Sequence, residues 1–78
     1  MIRMSLYSRP GCHLCEILYD ELHELLDGRA IVEHVDISDD PLLMRRYGLR
    51  IPVLCADDVE LSAYPLDVVK VKAYLANH

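Results

Sequence analysis

The sequence predicts a single α/β domain over residues 1–78, with elements in the order β-α-β-α-β-β-α and a four-stranded mixed sheet flanked by helices. Three observations carry this. Residues 2–7 alternate, with Ile2, Met4 and Leu6 set against Arg3, Ser5 and Tyr7. Residues 13–27 switch to helical spacing, and a β-branched run follows at 31–37. A strand, a helix and a second strand in succession make a crossover, so these two strands pair in parallel. Two short apolar runs either side of Asp57-Asp58 read as an antiparallel hairpin, which makes the sheet mixed.

Taken in order, the first strand is broken by Pro10-Gly11. The first helix places Leu14, Ile17, Leu18, Leu22, Leu25 and Leu26 on one face and Glu16, Asp20, Glu21, Glu24 and Asp27 on the other, and Gly28 ends it. The second strand, 31–37, is bounded by polar turn residues. Asp40 as N-cap and Pro41 at the first helical position start a short second helix that ends at Gly48. Residues 51–56 are the third strand, with Pro52 at its beginning, where a missing backbone donor is tolerated. Residues 59–61 return as the fourth strand. The last helix is expected over 65–76, with Leu66, Val69, Ala73 and Leu75 inward and Lys70 and Lys72 outward. Its valines are poor helix formers, so packing must hold it.

Composition narrows the function. No run approaches the roughly 18 apolar residues of a membrane span, and Met1-Ile2-Arg3-Met4-Ser5 lacks the apolar core of a signal peptide, so the cytoplasm is the expected compartment and no membrane partner is expected. The net charge of -5, with only Arg45 and Arg46 adjacent, argues against nucleic acid. A monomer is expected. Three cysteines are an odd number for a secreted disulfide scaffold. In a reducing compartment, Cys12-His13-Leu14-Cys15 points instead to redox exchange or metal binding. Residues three apart on a helix share a face, so the two sulfurs can close into a disulfide without much backbone movement.

The element order and its residues resemble the glutaredoxin-like family of the thioredoxin fold, over nearly the whole chain. The resemblance is carried by Tyr7-Ser8-Arg9 ahead of Cys12-His13-Leu14-Cys15, by Val35-Asp36-Ile37, by Tyr47-Gly48-Leu49-Arg50-Ile51-Pro52-Val53-Leu54, and by Tyr64-Pro65-Leu66-Asp67. It implies a thiol–disulfide oxidoreductase, with glutathione as a candidate co-substrate; the expected substrate is a protein disulfide or a small thiol, and no bound cofactor is expected. It implies that Pro52 is cis and beside the dithiol, with the Ile51 backbone receiving the substrate chain. Arg9 matches a basic position that contacts a glutathione carboxylate. The pattern departs elsewhere: His13-Leu14 stands in place of Pro-Tyr, Arg50-Ile51 in place of Thr-Val, and Leu61-Ser62-Ala63-Tyr64 in place of a Gly-Gly turn. Weak use of glutathione is therefore expected.

Within this frame Cys12, at the N-terminal end of the first helix, is the expected nucleophile, because orphan N–H groups there favour a thiolate. Cys15, one turn on, is the expected buried resolving thiol. Arg9, His13, Leu14, Arg50, Ile51 and Pro52 are the expected substrate contacts, His13 modulating rather than catalytic. Asp36 and the acidic helix face are expected to be solvated, Cys55 to be buried and inert, and Tyr7 and Tyr47 to be packing aromatics. The alternative class is a non-catalytic binding module whose cysteines are structural or hold a metal. A zinc site would need two further ligands from Cys55, His13, His23, His34 and His78, none of which forms a second close pair.

Overall fold

The computed structural model describes residues 2–78. Its elements are β1 (Ile2–Ser8), α1 (His13–Leu26), β2 (Ala30–Asp36), α2 (Pro41–Tyr47), β3 (Val53–Ala56), β4 (Val59–Ser62) and α3 (Val68–Ala76). The strands form one sheet in the order β2-β1-β3-β4. β1 runs parallel to β2, and the β1–β3 and β3–β4 pairs are antiparallel. The order and the mixed sheet are those expected from the sequence.

The sheet separates two apolar layers. Met4, Leu6, Leu54, Ala56 and Leu61 meet Leu18, Leu22 and Leu26 of α1 and Val71 and Leu75 of α3 on one side. On the other, Val53, Cys55 and Ile37 pack with Tyr47 of α2. Central β3 is therefore buried along its whole length, whereas edge strand β2 exposes Ile31, Glu33 and His34. Ile37, expected inside the second strand, lies one residue beyond it. Its N–H donates to the Ser8 carbonyl (2.9 Å) and its side chain is fully buried.

Local signals act as the sequence suggests in several places. Asp40 Oδ1 accepts the N–H groups of Leu42 (3.0 Å) and Leu43 (3.2 Å), with Pro41 opening α2. Asp57 and Asp58 both take positive φ (49° and 64°), the backbone of a type I′ hairpin turn whose twist matches the flanking strands. Gly48 is right-handed, so its value lies in space: a Cβ there would collide with the Met44 carbonyl oxygen.

Three expectations need correction. The last helix begins at Val68, not at 65. Ser62 Oγ accepts the Asp67 N–H (2.8 Å) and Asp67 Oδ1 accepts the Lys70 N–H (3.0 Å), so Asp67 is the N-cap and Pro65 and Leu66 lie in the connection. With that start, Val71 and Leu75 face the core, while Val69 is 79 % exposed and Ala73 is also exposed. Leu14 is 44 % exposed, because the inward stripe of α1 is Cys15, Leu18, Leu22 and Leu26. Pro52 precedes β3 instead of opening it, since pairing with β1 starts at Val53 opposite Tyr7.

Candidate active site at the start of helix α1

β1 delivers the chain to the site. After Ser8, the loop Arg9-Pro10-Gly11 turns back on itself through a hydrogen bond from Cys12 N–H to the Arg9 carbonyl (3.3 Å). Gly11 adopts φ +77°, which side chains resist, and so lets the strand turn tightly into the helix. Cys12 then has the extended backbone of an N-cap, and the Cys15 N–H donates to its Sγ (3.2 Å). A sulfur occupies the position where a Ser or Asp oxygen ordinarily satisfies the first free amides of a helix.

Cys12 and Cys15 are joined as a disulfide with their α-carbons 5.2 Å apart. The two ends differ in exposure. Cys15 is 5 % exposed and belongs to the inward stripe of α1, whereas Cys12 is half-buried. An amide aimed at the outer sulfur and the positive end of the helix both favour negative charge at Cys12 over Cys15.

The other expected site residues are placed as follows. His13 and Leu14 are exposed on the first turn, and His13 Nδ1 stands 3.9 Å from Glu16 Oε2 in a solvated pair of little energetic weight. Arg9 is exposed and lines, with both cysteines, a cavity of about 200 Å³ beside the disulfide. The Ile51–Pro52 peptide is cis, as the resemblance implies. Because Val53 pairs with Tyr7, Pro52 lies at the end of the sheet from which β1 runs into the Cys12 loop. The Ile51 N–H is engaged internally, donating to the Tyr47 carbonyl (3.0 Å), which also accepts the Arg50 N–H (2.7 Å). Arg50 forms an ion pair with Glu60 that holds its guanidinium over the hairpin and raises its affinity for its proton.

Cys55 is on the other side of the sheet from α1, in the layer with Tyr47 and Val53. Burial pushes its thiol above the usual range. Tyr7 and Tyr47 stack with ring centroids 4.4 Å apart and act as packing aromatics. Asp36 is exposed, and bonds from Ser38 Oγ (2.6 Å) and Ser38 N–H (2.9 Å) hold its carboxyl below the usual carboxylate range. Among the described residues, no three His, Cys, Asp or Glu side chains gather as a metal ion would require, and no helix is long and apolar enough to cross a membrane.

Tyr19 and His34, which sequence reasoning did not assign to the site, also line the cavity beside the disulfide. Their rings are 4.3 Å apart. The available signal was register: parallel pairing sets His34 beside Leu6, on the sheet face that α1 covers.

The chain is similar to several known proteins over almost all of its length. A solution structure of a protein from Nitrosomonas europaea is 37 % identical, superposes with a TM-score of 0.85, and is matched over 94 % of this chain and 89 % of its own. The X-ray structure of a target protein from X. campestris is 33 % identical with a TM-score of 0.73, over 96 % and 97 % of the two chains. A malarial protein, 17 % identical with a TM-score of 0.62 over 100 % and 97 % of the two chains, shares the fold. No curated protein matches the chain. The model of the Glutaredoxin-like domain (DUF836) matches residues 3–76. The strand order, the dithiol at the start of α1 and this match together place the chain in the glutaredoxin-like family, to which it belongs.

Proposed function

We propose that this protein is a thiol–disulfide oxidoreductase in which Cys12 attacks and Cys15 resolves. The carrying observation is the asymmetry of the pair: Cys12 is the accessible N-cap whose sulfur accepts a helix amide, and Cys15 is its buried partner. In the reduced form the Cys12 thiolate attacks a substrate disulfide R–S–S–R′, forming Cys12–S–S–R and releasing R′–S⁻. Cys15 Sγ then attacks Cys12 Sγ, R–S⁻ leaves, and the Cys12–Cys15 disulfide forms. A low-molecular-weight thiol or a protein dithiol returns two electrons and regenerates the dithiol, as a reducing compartment such as the cytoplasm would provide.

A protein disulfide is the favoured substrate class. The position of the Gly-Gly turn of glutathione-binding relatives is held by Ser62, tied to Ala63 and Asp67, and Arg50 is engaged by Glu60. Exposed Leu14 and Leu49 offer apolar contact at the same end of the sheet. Monomeric action without a resident cofactor, metal, nucleic acid or membrane partner completes the proposal.

Alkylation by iodoacetamide as a function of pH tests the activated thiol. Cys12 of the reduced protein should react at pH values well below those needed for free cysteine, with Cys55 reacting last. A Cys12 that labels no more readily than free cysteine would refute the assignment. Cys15→Ser should trap the substrate on Cys12 as a stable mixed disulfide, and turnover coupled to glutathione should be poor in the parent protein.

A further inference from the structure

We propose that the cavity beside the disulfide is the proton exit of the resolving thiol, with His34 as the proton acceptor for Cys15. The inference rests on the exchange reaction above and concerns its second half. There Cys15 must become a thiolate, yet its position in the apolar stripe of α1 disfavours that charge. Cys12 cannot take the proton, because its sulfur is occupied by the substrate. Beneath this part of α1, β1 presents Leu6, which has no acceptor, and Ser8, whose hydroxyl is too weak a base.

The remaining way out is the cavity of about 200 Å³ that both cysteines line together with Tyr19 and His34. A space of that volume accommodates several waters at about 30 Å³ each. The charged and titratable groups facing His34 are Glu16, Tyr19 and Asp20 from α1, with His23 behind Tyr19, and Arg9 and Cys12 from the loop. Asp36 lies two residues on in β2, its carboxylate engaged by Ser38. Arginine offers no acceptor, a neutral phenol already holds its proton, and a carboxylate is too weak a base to hold a thiol's proton near neutrality. An imidazole is the side chain type matched to that task. The Tyr19 ring, its centroid 4.3 Å from that of the imidazole, packs beside it in the cavity lining.

The proton of Cys15 Sγ thus passes through the cavity to His34, and the Cys15 thiolate forms a bond to Cys12 Sγ. The Cys12–S–S–R bond breaks, and R–S⁻ leaves with the electron pair, taking a proton from the imidazolium or from solvent.

Stopped-flow reaction of the reduced protein with dithionitrobenzoate separates the two halves, since attack by Cys12 and resolution by Cys15 each release one coloured thiolate. In His34→Gln the first phase should keep its rate. The second should slow by about tenfold or more at neutral pH, less than the ~10²–10⁴ of a directly placed base because the proton crosses the cavity. It should recover as pH is raised, and free imidazole should restore it in His34→Ala. A second phase equal to the parent's in His34→Gln, or one slowed in His34→Ala without rescue by imidazole, overturns the proposal. A parent protein that releases no second thiolate refutes the exchange reaction itself, and the role of His34 falls with it.

Discussion

Replacing Val71 by Ala tests how α3 is seated on the layer that carries the dithiol helix. Val71 is fully buried among Leu18, Leu22 and Leu75, whereas Val69, two residues earlier on the same helix, is 79 % exposed. Removing two buried carbon groups forfeits about 1.6 kcal/mol at ~0.8 kcal/mol per group. A residual cavity of about 40 Å³ adds up to about 1 kcal/mol, and the better helix propensity of Ala returns about 0.5 kcal/mol. The expected net loss for Val71→Ala is about 1–2 kcal/mol, while Val69→Ala should be neutral or stabilising by up to about 0.5 kcal/mol. For a domain whose whole stability is of order 4–12 kcal/mol, urea unfolding of the oxidised protein resolves this readily. With a slope of about 1 kcal/mol/M, the midpoint should fall by about 1–2 M for Val71→Ala and not for Val69→Ala. Equal losses for the two variants, or a larger loss at Val69, would refute the assigned face of α3.

Further outcomes are expected at three other places. Ser62→Ala removes the acceptor of the Asp67 N–H and should cost about 1–3 kcal/mol by the same unfolding assay, because Ser62 is buried and water replaces it poorly. Asp58→Gly should stabilise by about 0.5–1 kcal/mol, since φ +64° is strained for a residue with a Cβ, whereas Asp57 should resist exchange because its carboxylate accepts the Tyr74 hydroxyl (2.7 Å). Ser38→Ala should lower stability at neutral pH and converge on the parent in acid. Asp36 has a depressed folded pKa, so its contribution is present above the ordinary carboxylate range and is lost as pH falls through the folded value. Acid-to-neutral unfolding curves for the pair check this, and a difference that persists or grows in acid would contradict it.

What the amino-acid sequence determined by itself is what short-range chemistry dictates. Alternation at 2–7, helical spacing after Cys12, the Asp40-Pro41 start of α2 and the Asp57-Asp58 turn each act within a few residues, and each appears where expected. The identity of the dithiol and its placement at a helix N-terminus were legible for the same reason. Tertiary structure decided what depends on partners far along the chain. The start of α3 follows from Ser62 capturing Asp67, and that start rotates Val71 inward and Val69 out, which helical periodicity alone cannot choose between in a valine-rich segment. Arg50 is withdrawn to Glu60, ten residues on, across the hairpin approach. Cys55 is set behind the sheet from Cys15 by strand alternation combined with the order β2-β1-β3-β4. His34, an unremarkable residue in a run read for its β-branched neighbours, reaches the disulfide cavity only because β2 pairs in parallel with β1 and α1 crosses over that edge. Sequence spacing brought the two sulfurs together; only the sheet brought a base to them.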